Sequence, residues 1–155
     1  IFIDDKSTLK LKENSEIVIN GQRSAVSISK KINMDIGIIR ATVNKQNTDF
    51  VIQTPTSVAS VKGTDFWLLS NPETGDQVMG LEGTIGLTNN ETGQEVDVTQ
   101  GMSGVSTPDG NLGLEETIES ALPEDPSEEL EDSSEIKIYL EGPNGQQKVM
   151  IIEYQ

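Results

Sequence analysis

The sequence contains neither cysteine nor histidine among its 155 residues. Without cysteine it has no disulfide framework and no thiol nucleophile. Without histidine it lacks the Ser-His-Asp and Cys-His catalytic systems and the usual ligands of zinc, copper and haem iron. Any metal ion would have to be a hard cation held by oxygen atoms, such as calcium or magnesium. The composition therefore excludes the familiar nucleophilic enzymes and a zinc, copper or haem site, and we expect no cofactor and no metal ion.

Long apolar runs and positive charge are scarce as well. No stretch approaches the roughly 18 apolar residues that mark a membrane-spanning helix, so we expect no membrane span. The chain begins at Ile1 without the basic and apolar regions of a secretory signal, so no signal peptide is visible in it. The formal net charge of -15, from 26 acidic and 11 basic residues, repels phosphate backbones and anionic lipid head groups. Binding of nucleic acid is therefore not expected.

The acidic residues are concentrated towards the end of the chain. Residues 1–110 hold 14 acids and 9 bases, whereas residues 111–155 hold 12 acids and only 2 bases. The first segment alternates polar and apolar residues in short runs about 8–12 residues apart, with polar, glycine-containing turns between them. This pattern predicts an all-β domain over residues 1–110: an antiparallel two-sheet sandwich or β-roll, with a solenoid-like arrangement as a variant.

Two further segments follow the predicted β domain. For residues 111–135 we predict an acidic linker. We expect a short helix within it, because three apolar residues share one helical face. These residues are Leu114, Ile118 and Leu122. Residues 136–155 alternate strongly around Asn144-Gly145, the strongest short-range signal for a β-hairpin. An isolated hairpin is only marginally stable in water, so we expect it to pack on the main domain or to self-associate with another copy.

Residues 50–66 carry the most specific pattern: a strand ending in Thr-Pro, a strand of small residues, and then Val-Lys-Gly-Thr-Asp-Phe. This order resembles the central signature of the FecR domain family, which ends in Val-Arg-Gly-Thr-x-Phe. Gly37–Ala41, Gly80–Leu87 and Thr99–Met102 are similar to the family's Gly-x-Leu-Arg-Val, Val-Leu-Glu-Gly-x-Val-x-Val and closing-strand motifs. The resemblance covers roughly residues 4–107.

The resemblance implies a β-rich extracytoplasmic module, located in the periplasm or at the cell surface. In the iron-uptake members of the family, this region belongs to a sigma-factor regulator that senses an outer-membrane transducer. Other members are stand-alone envelope proteins. The resemblance therefore predicts a non-enzymatic module for protein interaction or assembly, with a protein partner in the bacterial envelope and signal sensing as one option.

The segment around Gly63 holds the candidate interaction residues. The four candidates are Lys62, Thr64, Asp65 and Trp67. Gly63 can adopt a positive φ and form a bulge, which leaves the charged candidates at the turn. The family usually has arginine where this chain has Lys62, and lysine cannot make arginine's planar two-point contact with a carboxylate. The alternative is a structural corner, in which Val61 and Phe66 are buried and Thr64 hydrogen-bonds the backbone.

Trp67 is the only tryptophan, and strand alternation sets it opposite Phe66 and Leu68. If those two residues face the core, Trp67 lies on the outer face, where an aromatic ring can anchor a partner or stack on a sugar. If the strand is buried on both sides, Trp67 belongs to the core.

Two other functional classes stay open. A carbohydrate- or calcium-binding module of a secreted or surface protein would use Trp67 or the acidic turns. An enzyme that works with carboxylates alone would need two facing acids in a cleft, and nothing in the sequence marks such a pair.

Overall fold

Thirteen β-strands and a single 3₁₀ turn form the described part of the chain. The computed structural model describes residues 7–23, 28–45, 50–125, 134–141 and 147–154. The strands are β1 (Thr8–Leu11), β2 (Glu16–Arg23), β3 (Ile28–Val43), β4 (Phe50–Gln53), β5 (Ser57–Val61), β6 (Thr64–Asn71), β7 (Gly75–Glu82), β8 (Thr84–Asn89), β9 (Glu95–Thr99), β10 (Met102–Ser106), β11 (Leu112–Glu116), β12 (Ser134–Glu141) and β13 (Gln147–Tyr154). The predicted all-β class is confirmed.

The longest strand, β3, is shared by two sheets. Its first part, up to Ile36, pairs with β2 and β4, and its second part, from Gly37, pairs with β1 and β6. Gly37 lies at this switch with a φ of 135°, and a Cβ atom there would overlap the Ser15 side chain. The Ser15 hydroxyl accepts the N–H of Ile38 at 3.0 Å and donates to its carbonyl at 3.2 Å. The close approach at the bend therefore requires glycine.

Sheet A runs in the order β1, β3, β6, β7, β10, β11, and sheet B in the order β13, β12, β2, β3, β4, β5, β8, β9. Neighbouring strands are antiparallel, except that β3–β4 and β12–β2 are parallel. The sheets roll up until edge strand β9 lies against β7, β10 and β11, so that the mixed sheet is nearly closed into a barrel. The predicted β-roll is confirmed, with two parallel pairs added to its antiparallel pattern.

The core fills the space between the two sheets. Burial of apolar surface there is the main stabilising term, at about 25 cal/mol per Å². The fully buried side chains of this core, which come from both sheets, include Leu9, Ile17, Ile32, Met34, Ile39, Phe50, Ile52, Phe66, Leu68, Val78, Ile85, Leu87 and Val98.

A buried polar cluster explains the Thr-Pro turn between β4 and β5. Asp76 on β7 is 3% exposed, and one of its carboxylate oxygens accepts hydrogen bonds from the hydroxyls of Thr54 and Ser57. The Thr54 hydroxyl also accepts the backbone N–H groups of Thr56 and Ser57, at 3.1 and 2.9 Å. Thr54 thus ties the turn to the β6–β7 hairpin, which gives this part of the sequence pattern a structural role.

The segment after β10 differs from the predicted helical stretch. Leu112–Glu116 forms β11, which pairs antiparallel with β10, and within the described residues 111–125 only the 3₁₀ turn Glu119–Ala121 is helical. Leu114 and Ile118 are 46% and 67% exposed, so they form no docked helical face. Gly113 would cost about 1 kcal/mol inside a helix, whereas the edge of β10 offers a ladder of paired positions. In the part of the chain described, no helix is long and apolar enough to cross a membrane.

The C-terminal hairpin pairs with the main domain. β12 and β13 are antiparallel, and β12 lies parallel to β2, with Ile138 opposite Ile17. The hairpin therefore extends sheet B of its own chain. The predicted Asn144-Gly145 turn falls outside the described residues.

Candidate interaction surface

A row of side chains crosses the outer face of sheet A, which points away from the core. Cross-strand pairing places them side by side, one from each of β1, β3, β6, β7 and β10. This covered row consists of Lys10, Arg40, Trp67, Met79 and Ser103. Trp67 and Met79 are each only 2% exposed, although neither belongs to the core between the sheets. Something on the outer face must therefore bury them.

We infer that residues 117–125, here called the strap, provide this cover, because both ends of this segment are anchored on the row. At one end, the hydroxyl of Thr117 lies 2.7 Å from that of Ser103. At the other end, Asp125 accepts hydrogen bonds from Lys10 at 2.9 Å and from Arg40 at 2.8 Å. Strands lie about 4.8 Å apart, so the strap spans about 19 Å between its anchors, which is within reach of an extended chain at about 3.3 Å per residue. Its path therefore crosses Met79 and Trp67.

Arg40 holds the strap and the sheet together. Its guanidinium donates two hydrogen bonds to Asp65, from Nε at 3.1 Å and from Nη2 at 2.9 Å, while Nη1 donates to Asp125. The pKa of Arg40 is raised above its ordinary value, chiefly by the hydrogen bond to Asp65, although partial burial acts in the opposite direction. The guanidinium group is thus always charged, and this one cation binds the carboxylates of both Asp65 and Asp125. Such a forked pair is more specific in geometry than a single contact.

Trp67 combines features of the two alternatives drawn from the sequence. It lies on the outer face, as alternation with the buried Phe66 and Leu68 requires, yet the strap hides it from solvent. Its ring contributes to the fold, and an interaction role for it stays a prediction.

The other three candidates occupy different environments. Lys62 is exposed at the β5–β6 turn beside Gly63, which has a φ of 152°. Thr64 is 5% exposed, and among the described residues its hydroxyl has no hydrogen-bond partner, unlike the backbone bond of the corner alternative. Asp65 is half-buried and engaged by Arg40. The structure thus does not bring the four residues together as one exposed patch.

An open groove lies directly beside the covered row, one step along the same strands. Its volume is about 710 Å³. The side chains of its floor are Ile36, Ile38, Leu69, Gln77 and Val105. All of these are half-buried except Ile36, which is 43% exposed and ranks among the few large apolar side chains left open to solvent.

The open groove has acidic ends. Glu13, in the β1–β2 turn, lines it beyond β3. Glu115, on β11, lines it beyond β10, although in the register of these strands Glu115 lies opposite Ser103 of the covered row. Both carboxylates are exposed, and among the described residues no lysine or arginine lines the groove. The covered row next to it carries two cations, Lys10 and Arg40, at its β1–β3 end, so the two rows differ in charge at that end.

The chain matches a known protein family over most of its length. A family model described as FecR protein matches residues 1–102, about two thirds of the chain. The chain belongs to the FecR family. FecR domains are typically periplasmic or envelope domains. The match ends within β10, so the strap and the groove residue Glu115 lie beyond the FecR model.

Solved structures support the same fold. Two crystal structures of a candidate anti-sigma factor from Parabacteroides distasonis, at 2.50 and 1.65 Å resolution, are similar to the chain. In each case the identity is 13%, the TM-score is 0.63, and the match covers 75% of this chain and 54% of the other. The chain thus spans about half the length of these proteins, and at this identity the likeness establishes the fold alone. No curated protein matches the chain at a significant level.

The described residues of this FecR domain give no support to a calcium or sugar site. Within the described ranges, no three carboxylates are grouped for a metal ion. Asp109 lies in the exposed β10–β11 turn, where the Thr107 hydroxyl and the Asn111 amide donate to it. The hydrogen bond from Thr107 is the chief reason that the pKa of Asp109 lies below 3.8. Trp67 lies under the strap and does not present its ring to a sugar.

The sequence reading missed Arg40, Asp125 and the open groove. Arg40 lies in one of the family-like motifs, but the sequence alone does not indicate its partners, because Asp65 and Asp125 lie 25 and 85 positions away along the chain. One usable signal was present: β3 and β6 carry apolar residues on both faces, as in Ile38-Ile39 and Leu68-Leu69. Two-sided strands of this kind indicate that the outer face also contacts something.

Proposed function

We propose that this chain is a non-enzymatic, extracytoplasmic protein-interaction module that takes part in regulation at the bacterial envelope. Membership of the FecR family supports the envelope location. The similarity in fold to a candidate anti-sigma factor supports a regulatory role. The partner would be another envelope protein.

The open groove is the observation that carries the interaction part of this proposal. Binding sites are usually concave surfaces lined by apolar side chains with a few polar groups among them. Here Ile36, Ile38, Leu69 and Val105 form an apolar floor that the strap leaves uncovered. The exposed Lys62 turn remains a second candidate contact, whereas Asp65 and Trp67 would act indirectly, by holding the strap in place.

The C-terminal hairpin is a further proposed surface. Within the described strands, β13 has a neighbour only on its β12 side, and an open strand edge can pair with another chain. Deleting residues 134–155 should therefore change the oligomeric state or lower the melting temperature. An unchanged mass and melting temperature after truncation would remove this surface from the proposal.

An experiment in the bacterium that encodes the chain tests the proposed function. An epitope-tagged chain should become sensitive to added protease only when the outer membrane is permeabilised. Treatment of intact cells with an amine-reactive cross-linker should join it to a small set of envelope proteins. A cytoplasmic location, or an uncross-linked monomer under all conditions, would contradict the proposal.

A further inference from the structure

The shape of the open groove fits an extended chain that crosses the strands. Its floor runs over β3, β6, β7 and β10, and its acidic ends lie one strand further out on each side. At about 4.8 Å per strand, the distance from end to end is roughly 24 Å, which about seven residues of extended chain would span. The strap is anchored at both ends of the neighbouring row on the same face, so one segment of this chain already runs across the strands there.

The charges of the two rows select different occupants. The strap places Asp125 on the cations Lys10 and Arg40. The open groove offers exposed carboxylates at Glu13 and Glu115, besides the buried Asp76, and no cation among its described lining residues. A segment that complements it must therefore carry positive charge near both ends and apolar side chains in between.

We propose that the open groove binds an extended, basic-ended segment of a protein partner, with apolar side chains seated on Ile38, Leu69 and Val105. This inference rests on the proposed function, since it names the surface and the chemistry of the partner.

Charge disfavours the other occupants. Residues 126–133 of this chain hold four acids and no base, so they do not complement the acidic ends. A second copy of a chain with a net charge of -15 would be repelled as it approached. The occupant is therefore assigned to a different protein.

A site-specific cross-linking experiment tests the assignment. A photoreactive phenylalanine analogue replaces Gln77, in the middle of the groove floor, in the full chain expressed in its own bacterium. A control places the same analogue at Val58, which faces outward on sheet B. After irradiation of intact cells, mass spectrometry identifies the cross-linked peptide.

The expected result is a cross-link from position 77 to a segment with lysine or arginine on both sides of apolar residues. The double variant Glu13→Lys/Glu115→Lys should reduce its yield about tenfold, because like charges then meet at both ends. The matched variant Glu91→Lys/Glu95→Lys, which makes the same change of net charge on exposed residues of the β8–β9 hairpin, should leave the yield unchanged.

Three results would overturn the assignment. They are an acidic cross-linked segment, a cross-link to a second copy of the chain, and equal loss of yield in both charge variants. If position 58 captures an envelope protein and position 77 does not, the groove assignment fails while the proposed function stands. If neither position captures a protein, the groove assignment fails, and the amine-reactive cross-linking of the whole chain decides separately whether the proposed function stands.

Discussion

The covered row and the open groove lie on one face of one sheet, two residues apart along each strand. Arg40 and Ile38, Trp67 and Leu69, and Ser103 and Val105 are such pairs. The strap makes the difference: it buries Trp67 to 2% exposure and leaves Leu69 half-buried. Since the strap lies beyond the residues that match the FecR model, the difference between the two rows comes from the part of the chain after the family region.

The largest difference in stability between the two rows is expected from alanine substitutions of two residues on β6. Trp67→Ala should lower the free energy of unfolding by about 3–5 kcal/mol, because loss of a buried ring leaves a cavity under the strap. Leu69→Ala should cost about 1 kcal/mol, since this side chain is only half-buried. Urea unfolding followed by circular dichroism measures both. Equal losses would mean that the strap does not distinguish the two rows.

Release of the strap is expected to have a smaller effect. Asp125→Asn removes the charge that Lys10 and Arg40 bind, so we expect a loss of about 1 kcal/mol in the free energy of unfolding. The fluorescence of Trp67, the only tryptophan, should become about twice as sensitive to acrylamide, because the cover opens locally. Glu124→Gln, at the exposed neighbouring position, serves as the control. Quenching that is the same in both variants would show that Asp125 does not hold the strap.

Charge reversal at the groove ends should leave stability almost unchanged. Glu13 and Glu115 are exposed, so Glu13→Lys/Glu115→Lys should alter the free energy of unfolding by less than about 0.5 kcal/mol. The same bound holds for Glu91→Lys/Glu95→Lys. Thermal and urea unfolding of the two variants provide the measurement. A loss well above this bound in the first variant alone would indicate that the groove ends support the fold.

The smallest effect is expected at the turn that leads from the groove strand β10 to β11. The pKa of Asp109 is lowered in the folded domain, chiefly because the Thr107 hydroxyl donates to it. Its ionised form therefore adds stability above pH 3.8, and this contribution disappears as the pH falls through the lowered pKa. The melting temperatures of wild type and Asp109→Asn should differ slightly at neutral pH and converge in acid. A difference that grows in acid would have the wrong sign.

The fold was largely readable from the sequence, because alternation is a local property. The runs around Ile17, Phe50 and Phe66 predicted strands, and the signature over residues 50–66 predicted the family. The helical spacing of Leu114, Ile118 and Leu122 predicts a helix in the segment that contains β11. The segment forms a strand because the edge of β10 is free to pair with it, and the local spacing of apolar residues does not show such an edge.

The interaction surface was much harder to predict from the sequence. The ion pairs from Asp125 to Arg40 and Lys10 join positions 85 and 115 residues apart, so no local sequence motif predicts them. Alternation placed Trp67 on the outer face but could not show that a distant segment would cover it. The groove combines side chains from separate strands and becomes visible only once the register is known.

Titration calorimetry with the partner segment captured from position 77, prepared as a synthetic peptide, tests the central claim most directly. The full chain should bind the peptide, Glu13→Lys/Glu115→Lys should weaken the Kd about tenfold or more, and Asp125→Asn should leave it within about twofold. An affinity that is insensitive to the groove charges but lost when Asp125 is replaced would contradict the claim, since the partner would then depend on the strap and the covered row instead.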